Sequence, residues 1–345
     1  MARGDFILGG EVTEFEREAA GFLGAKYAVG VASGSDALVL GADILGLKDG
    51  AEVLTPTFTF FASTSCIARL GGKPVFVDMD EETLNMDVGD AASRLTERTK
   101  GIVPVHLFAH TTPMQEVMDL ARKNGLKVLE DAAEAWGMQD TVDGEKKAAG
   151  TIGDIGIYSF FPTKTLGAYG DAGLMTTNDE ELYREIRSYR VHGSSVKYQH
   201  DYIGYNSRLD TMQAAILRVK LRSSREAIAA RAKHAAHYTE QIAGLPGIRI
   251  PEVRKDAGGV YYVYNILTDR RDALADRFKE RGIGYSIYYP KPLHLQKCFE
   301  YLGYKEGDFP VAERICKRII ALPIYPEITA DEIDYVCDTI TEFCS

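Results

Sequence analysis

The apolar positions of the chain change period several times, and the changes outline its architecture. Residues 11–23 put Val12, Phe15, Ala19, Phe22 and Leu23 on one helical face, with Gly24 placed to end the helix. Apolar runs of strand length follow at 28–32, 52–55, 74–77, 102–107, 127–130, 155–160 and 174–177. Helical patterning at 61–70, 87–95 and 114–124 separates several of them. The alternation predicts an α/β fold with a seven-stranded, largely parallel sheet whose ligands lie beyond the strands' C-terminal ends. Residues 178–244 read as mostly helical, with a polar, aromatic turn at 202–209 leading into a long helical region. The breaker Gly244-Leu245-Pro246-Gly247 marks the start of a second unit. There the pattern gives strands at 260–267 and 284–289 and helices at 272–281, 311–320 and 330–342, a small α+β arrangement. The expected division is a large α/β domain, 1–243, and a small C-terminal domain, 244–345.

Composition narrows the function. Fifty acidic residues against 40 basic ones leave a formal charge of −10, which argues against nonspecific binding to nucleic acid or an anionic membrane. No apolar stretch approaches membrane-spanning length, and the first ten residues lack the apolar core of a signal peptide. Five cysteines, an odd number with none at C-x-x-C spacing, fit free thiols in a reducing compartment. The expected location is the cytoplasm. His234 and His237 have helical spacing but no acidic pattern around them, so no metal site is expected.

Lys164 stands out, framed by Pro162, Thr163 and Thr165 at the mouth of the 155–160 strand and followed by Gly167, Gly170 and Gly173. A desolvated amine there loses pKa and becomes a nucleophile; the alternative is a solvated loop lysine. Ser33-Gly34-Ser35 joins a strand to an apolar helix, a place where exposed amides suit a phosphate or where a serine simply caps the helix. Asp131 follows the 127–130 strand and reads as a carboxylate for a ligand cation or as the cap of a helix from Ala132. Among Phe58, Phe60 and Phe61, one ring could stack on a flat cofactor, although core packing is the commoner role.

Together the ordered segments ILGGEVTEFE, VASGSDAL, TPTFTFFAST, PVHLFAHTTPM, LEDAAEAWG, GDIGIYSFFPTK, GYNSRLDTMQAAIL, YYPKPLHLQ and FPVAERICKRIIALPIYP resemble the DegT/DnrJ/EryC1/StrS family of pyridoxal-phosphate sugar aminotransferases. The resemblance runs nearly the whole chain and implies the aspartate aminotransferase-like fold type I. It matches Lys164 to the lysine that forms a Schiff base with the cofactor and Asp131 to the aspartate on the pyridine nitrogen. Gly34, Ser35 and Ser159 match phosphate contacts, and Phe60 matches the stacking aromatic. Asn206 matches an asparagine that reaches the phosphate of the neighbouring subunit, which implies a homodimer with shared active sites. His192, Tyr289, Lys291 and His294 fall near the substrate entrance, each with a packing or solvated role as its alternative.

Two departures stand out. Glu134 occupies a position where many members carry glutamine near the cofactor's phenolic oxygen; it either tunes the cofactor or is a helix residue facing elsewhere. Only Met1 to Phe6 precede the ILG motif, so contacts usually made by a longer N-terminal segment are expected to be absent or supplied differently. The implied reaction is transfer of an amino group from L-glutamate to a keto sugar, expected to be nucleotide-linked, with pyridoxamine phosphate as the intermediate cofactor form. The segments look most like members that aminate C3; 4-keto sugars, cyclitol ketones and an aminobenzoate-type aromatisation stay open. A dehydratase of the same family would carry histidine in place of Lys164, and a non-catalytic cofactor-binding regulator would show a decayed site.

Overall fold

The computed structural model describes residues 4–254 and 259–345. The chain opens with α1 (Gly10–Leu23), β1 (Tyr27–Val31), α2 (Gly34–Ile44), β2 (Glu52–Pro56), α3 (Ala62–Arg69) and β3 (Lys73–Val77). It continues through α4 (Val88–Ser93), β4 (Thr99–Ile102), α5 (Met114–Asn124), β5 (Lys127–Asp131) and a hairpin of β6 (Gln139–Val142) and β7 (Glu145–Ala148). Then come β8 (Ile155–Ser159), β9 (Gly173–Thr177), α6 (Glu180–Tyr189) and a second hairpin, β10 (Ser194–Val196) with β11 (Gln199–His200). The remainder is α7 (Thr211–Leu221), α8 (Ser224–Ile242), β12 (Tyr264–Leu267), α9 (Arg271–Glu280), α10 (Pro310–Arg318), β13 (Ile319–Leu322) and α11 (Ala330–Cys344), with two short 3-10 turns between α9 and α10.

Seven strands form the central sheet in the order β1-β9-β8-β5-β4-β2-β3. The pairs β2–β3, β2–β4, β4–β5 and β5–β8 are parallel, while β9 is antiparallel to both β8 and β1. Two successive reversals return β1 to the direction of β8, so the C-terminal ends of β1, β2, β4, β5 and β8 share one edge. The strands are buried along almost their whole length, which is why they read as apolar runs rather than alternating ones. Helix α1 buries Val12, Phe15, Ala19 and Leu23 and ends at Gly24, whose φ of 72° is left-handed.

Three expectations need correction. The fourth strand spans Thr99–Ile102, not 102–107: Pro104 has no N–H for the ladder, and beyond it Val105 keeps an isolated parallel bridge to Asp131 before the chain turns at 108–110. Residues 284–289 form no strand and contribute only the bridge Ser286–Ala321. The partner of β12 is instead Ile319–Leu322, whose first two residues the periodicity had assigned to a helix. All four of its residues are buried, and β-branched isoleucines favour the extended form there. Around that pair pack α9, α11 and the distal residues Ala235, Tyr238 and Ile242 of α8.

Glu52 anchors the start of β2. The Thr96 hydroxyl at 2.5 Å, with Lys73 at 3.1 Å and Arg98 at 2.7 Å, holds its carboxyl down at about 2 from an ordinary 4.5, against the opposing effect of burial. A depressed carboxyl contributes stability that is full above its unfolded pKa and disappears as pH falls through its folded one. Because the side chains of Arg98 and Lys73 are 72% and 48% exposed, we expect only about 1–2 kcal/mol from this cluster. Glu52→Gln should lower the stability measured by urea unfolding by that amount near neutral pH. The difference from wild type should shrink as the pH is taken from 4.5 toward about 2; a difference that does not change with pH would refute the account.

Candidate active site

At the shared strand edge lies a cavity of about 880 Å³, within the range typical of small-molecule sites. Each strand end delivers a different group to it. The turn after β1 brings Ser33, Gly34 and Ser35; the segment after β2 brings Thr59, Phe60 and Phe61; the bend after β4 brings His106. Asp131 is the last residue of β5 and Ser159 the last of β8, and Lys164 follows five residues later. Tyr262, Tyr288, Tyr289 and Lys291 from the C-terminal part of the chain close the opposite side.

One end of the cavity is built for an anion. Ser33 caps α2 by accepting from the Asp36 amide at 3.1 Å, and Gly34 and Ser35 begin the helix at the positive end of its dipole. The cap and the amide site are therefore both present, on neighbouring residues. Register explains why Ser159 joins them: Gly173 of β9 lies opposite both Val31 and Ser159. The approach is close enough to require glycine, since a Cβ on Gly34 would stand 2.7 Å from the Ser159 Cβ.

The other end carries the ionisable groups. Asp131 is buried, and its two oxygens accept from the Ser63 hydroxyl at 2.6 Å and the Ala133 amide at 3.1 Å. No helix starts at Ala132; residues 132–138 are turns, so the capping alternative for Asp131 gives way to a local side-chain-to-backbone bond. Burial pushes the Asp131 carboxyl upward, partly opposed by those two donors and by Lys164. Lys164 Nζ lies 3.2 Å from Glu134 Oε1 and 4.2 Å from the centre of the Tyr262 ring. Burial alone would lower the amine, but the Glu134 carboxylate and Tyr262 outweigh it and the net shift is upward. The carboxylate beside Lys164 thus works against the lowered amine that desolvation by itself would give.

The remaining candidates separate. Phe60 is 57% exposed and lines the cavity, as do Tyr289 and Lys291. His294 does not line it: the ring is buried, with Nδ1 2.8 Å from Thr57 Oγ1 and Nε2 3.1 Å from Glu313, so it ties the post-β2 segment to α10. His192 is exposed beside the β10–β11 hairpin, and Asn206 is exposed on the approach to α7; neither lines this cavity. Ser63 and Tyr262 escaped the sequence reading. A serine at the second position of a helix and a tyrosine 98 positions from the lysine carry no local signal of their roles. Among the described residues, no group of three or more His, Cys, Asp or Glu is arranged to hold a metal ion, and no helix is long and apolar enough to cross a membrane.

The donor set suits pyridoxal phosphate: an anion cradle, an amine for an aldehyde, a buried carboxylate for a ring cation and an open aromatic ring face a single cavity. Comparison with known proteins agrees. The profile of the DegT/DnrJ/EryC1/StrS aminotransferase family matches residues 1–341. A pleiotropic regulatory protein of Geobacillus stearothermophilus is 45% identical, covering 99% of this chain and 92% of its own. The UDP-N-acetyl-3-dehydro-α-D-glucosamine 3-aminotransferase of Acidithiobacillus ferrooxidans is 41% identical, covering 97% of this chain and 89% of its own. Among solved structures, S. venezuelae DesV in complex with a ketimine intermediate superposes with a TM-score of 0.96 at 36% identity, covering 100% of this chain and 92% of that one. NtdA of Bacillus subtilis with bound PMP superposes with a TM-score of 0.90 at 30% identity, over 99% of this chain and 79% of that one.

The tight fit at Gly34 gives a direct test. Gly34→Ala should destabilise the protein by about 1–3 kcal/mol through overpacking against Ser159. Gly21→Ala, on the exposed side of α1 where a Cβ meets nothing within 4 Å, should stabilise it by about 0.5–1 kcal/mol. Urea midpoints of the two variants should move in opposite directions; a neutral Gly34→Ala would remove the close-approach argument.

Proposed function

The chain belongs to the DegT/DnrJ/EryC1/StrS aminotransferase family, and on that premise we propose that it transfers an amino group from L-glutamate to C3 of a nucleotide-linked keto sugar. The observation that carries this reading is the convergence of Lys164, Asp131, Ser159 and the first turn of α2 on one cavity. The choice of sugar and carbon is supported by the name of the 41% identical relative, a 3-aminotransferase of a UDP-linked sugar. Pyridoxal 5′-phosphate, carried as pyridoxamine 5′-phosphate between half-reactions, supplies when bound an electron sink for the charge left as a C–H bond beside nitrogen breaks.

The side chains divide the work by position. Gly34 and Ser35, with the Ser159 hydroxyl, would hold the phosphate at the end of α2. Asp131 would keep a proton on the ring nitrogen, and its bonds from Ser63 and Ala133 fix the orientation of the carboxyl. Phe60 would cover one face of the ring. Lys164 Nζ would accept the α-proton of glutamate and pass it to the cofactor's aldehyde-derived carbon, water then supplying the keto oxygen of the released 2-oxoglutarate; with the sugar ketone the same nitrogen would move the proton in reverse. Tyr289 and Lys291, at the rim, would face the sugar nucleotide, Lys291 supplying positive charge for its diphosphate. We further propose a homodimer in which Asn206 completes the partner's phosphate site, a role supported by its exposure outside this chain's own cavity.

The regulatory name of the 45% identical relative favours a second reading, a cofactor-binding protein without catalysis. The two readings differ in what glutamate does. As an aminotransferase, the purified protein with pyridoxal phosphate should show an absorbance band that L-glutamate shifts, with release of 2-oxoglutarate. Lys164→Ala should cut that half-reaction by about 10²–10⁴-fold. A panel of keto-sugar nucleotides should then show turnover of a 3-keto sugar above 4-keto sugars and cyclitol ketones. Cofactor binding without a glutamate response would support the regulator, and undiminished turnover in Lys164→Ala would sink the assignment of the lysine.

A further inference from the structure

Glu134 is held so firmly that its second oxygen has a defined task. It lies on a turn, not a helix, and is buried. Its Oε2 accepts from the backbone amide of Phe108 at 3.1 Å, which leaves Oε1 at 3.2 Å from Lys164 Nζ. Phe108 adopts a φ of 67°, a left-handed conformation uncommon for a side chain of this size. Backbone in such a state persists where surrounding contacts over-determine it, and here the amide it presents fixes the carboxylate.

We propose that Glu134 is the proton partner of Lys164: it keeps the free lysine as an ammonium ion and takes one proton from Nζ to Oε1 when that nitrogen must present its lone pair to an aldehyde. The proposal rests on the reading of Lys164 as the cofactor lysine. In the transfer an N–H bond of the ammonium breaks and an O–H bond forms on Glu134, leaving a neutral amine beside a neutral acid. The chemistry of the alternative shows why a carboxylate matters. With glutamine at 134, the Phe108 amide would still claim the side-chain oxygen, and the NH2 group would face Nζ. Two donors then oppose each other unless the lysine is neutral. An amide therefore favours the free amine, whereas a carboxylate commits this enzyme to a stored proton.

The surrounding groups support that role. Asp131 at the end of β5 adds negative charge but is bonded to Ser63 and Ala133. Tyr262, preceding β12, lays its ring against Nζ and shares a 3.2 Å hydroxyl contact with Thr163. Tyr288 and Tyr289, from the segment before the first 3-10 turn, close the cavity, and burial raises Tyr289 so that its phenol stays protonated. His106, after β4, bonds to Glu130, and Asp171 lines the cavity from the loop before β9. Among these described groups, Glu134 has the carboxylate oxygen within hydrogen-bond reach of Nζ.

The test uses cofactor-free protein. Pulse acylation of lysines with acetic anhydride across neutral to alkaline pH, read by mass spectrometry of the peptide containing Lys164, gives its titration midpoint. In the wild type, that midpoint should lie above that of a free lysine peptide labelled in the same samples. In Glu134→Gln it should fall by at least about one pH unit, so that Lys164 labelling near neutral pH rises about tenfold. The free lysine peptide gives the same profile in both samples. A wild-type midpoint at or below that of the free lysine peptide, or coincident profiles in the two proteins, overturns the proposal; the wild-type comparison stands even if the variant does not fold. Borohydride reduction of the wild type loaded with pyridoxal phosphate, followed by peptide mapping, separates the two layers. Label on another lysine defeats the functional reading, whereas label on Lys164 with unmoved midpoints defeats only the role of Glu134.

Discussion

The buried carboxylate of Glu130 is the constraint on which the site depends. It accepts from the amides of Gly150, Ile152 and Gly153 at 2.7, 2.6 and 2.5 Å and lies 3.1 Å from His106 Nε2. His106 Nδ1 accepts from the Thr112 amide, which assigns the ring hydrogen to Nε2 and makes the histidine a donor to Glu130. One side chain thus ties together β5, the loop that feeds β8 and the bend after β4. A carboxylate with this many donors tolerates complete burial, while each donor left without it would be an unsatisfied buried group.

Asp131, the next residue, receives the opposite treatment. Alternation along β5 sends it to the other face, where among the described residues two donors reach it and its carboxyl is pushed upward by burial. Adjacent acids therefore do different jobs because their environments differ: Glu130 is satisfied and structural, Asp131 is under-supplied and opens onto the cavity. The same strand that fixes the first aims the second. Correct placement of Asp131 against Ser159 then follows from the parallel register of β5 and β8, in which Asp131 pairs with Ile157.

How much of this was legible depended on whether the signal was local. Six of the seven strands of the main sheet were visible because strands covered on both faces are written as short apolar runs; the fourth, Thr99–Ile102, shares only Ile102 with the expected 102–107, since Thr99-Lys100-Gly101 carries no apolar run. The strand Ile319–Leu322 was not, since an apolar run abutting a helix has no boundary in its periodicity. The candidate residues at strand ends were legible because ligand sites gather there in such sheets. Ser63 and Tyr262 were hidden, as their roles exist only through contacts across 68 and 98 positions. His294 was misleading for the converse reason: its motif lies near the cavity wall, yet its ring is satisfied by Thr57 and Glu313 behind that wall.

The lysine shows where reasoning from residue type alone reaches its limit. Desolvation was expected to lower the amine, and burial does act in that direction. The sign reverses because Glu134 is brought beside it by a bond to a backbone amide in an unusual conformation, a feature no spacing rule encodes. Reactivity in such a site is not a fixed property of a neutral lysine waiting for substrate. It is conditional, released when the neighbouring carboxylate accepts a proton, and the removal of charge from both partners lowers the cost of keeping them in a buried cavity. In the role proposed for Glu134, the pair that holds Lys164 as an ammonium ion is therefore also the arrangement that lets its neutral form appear without sending a proton to solvent.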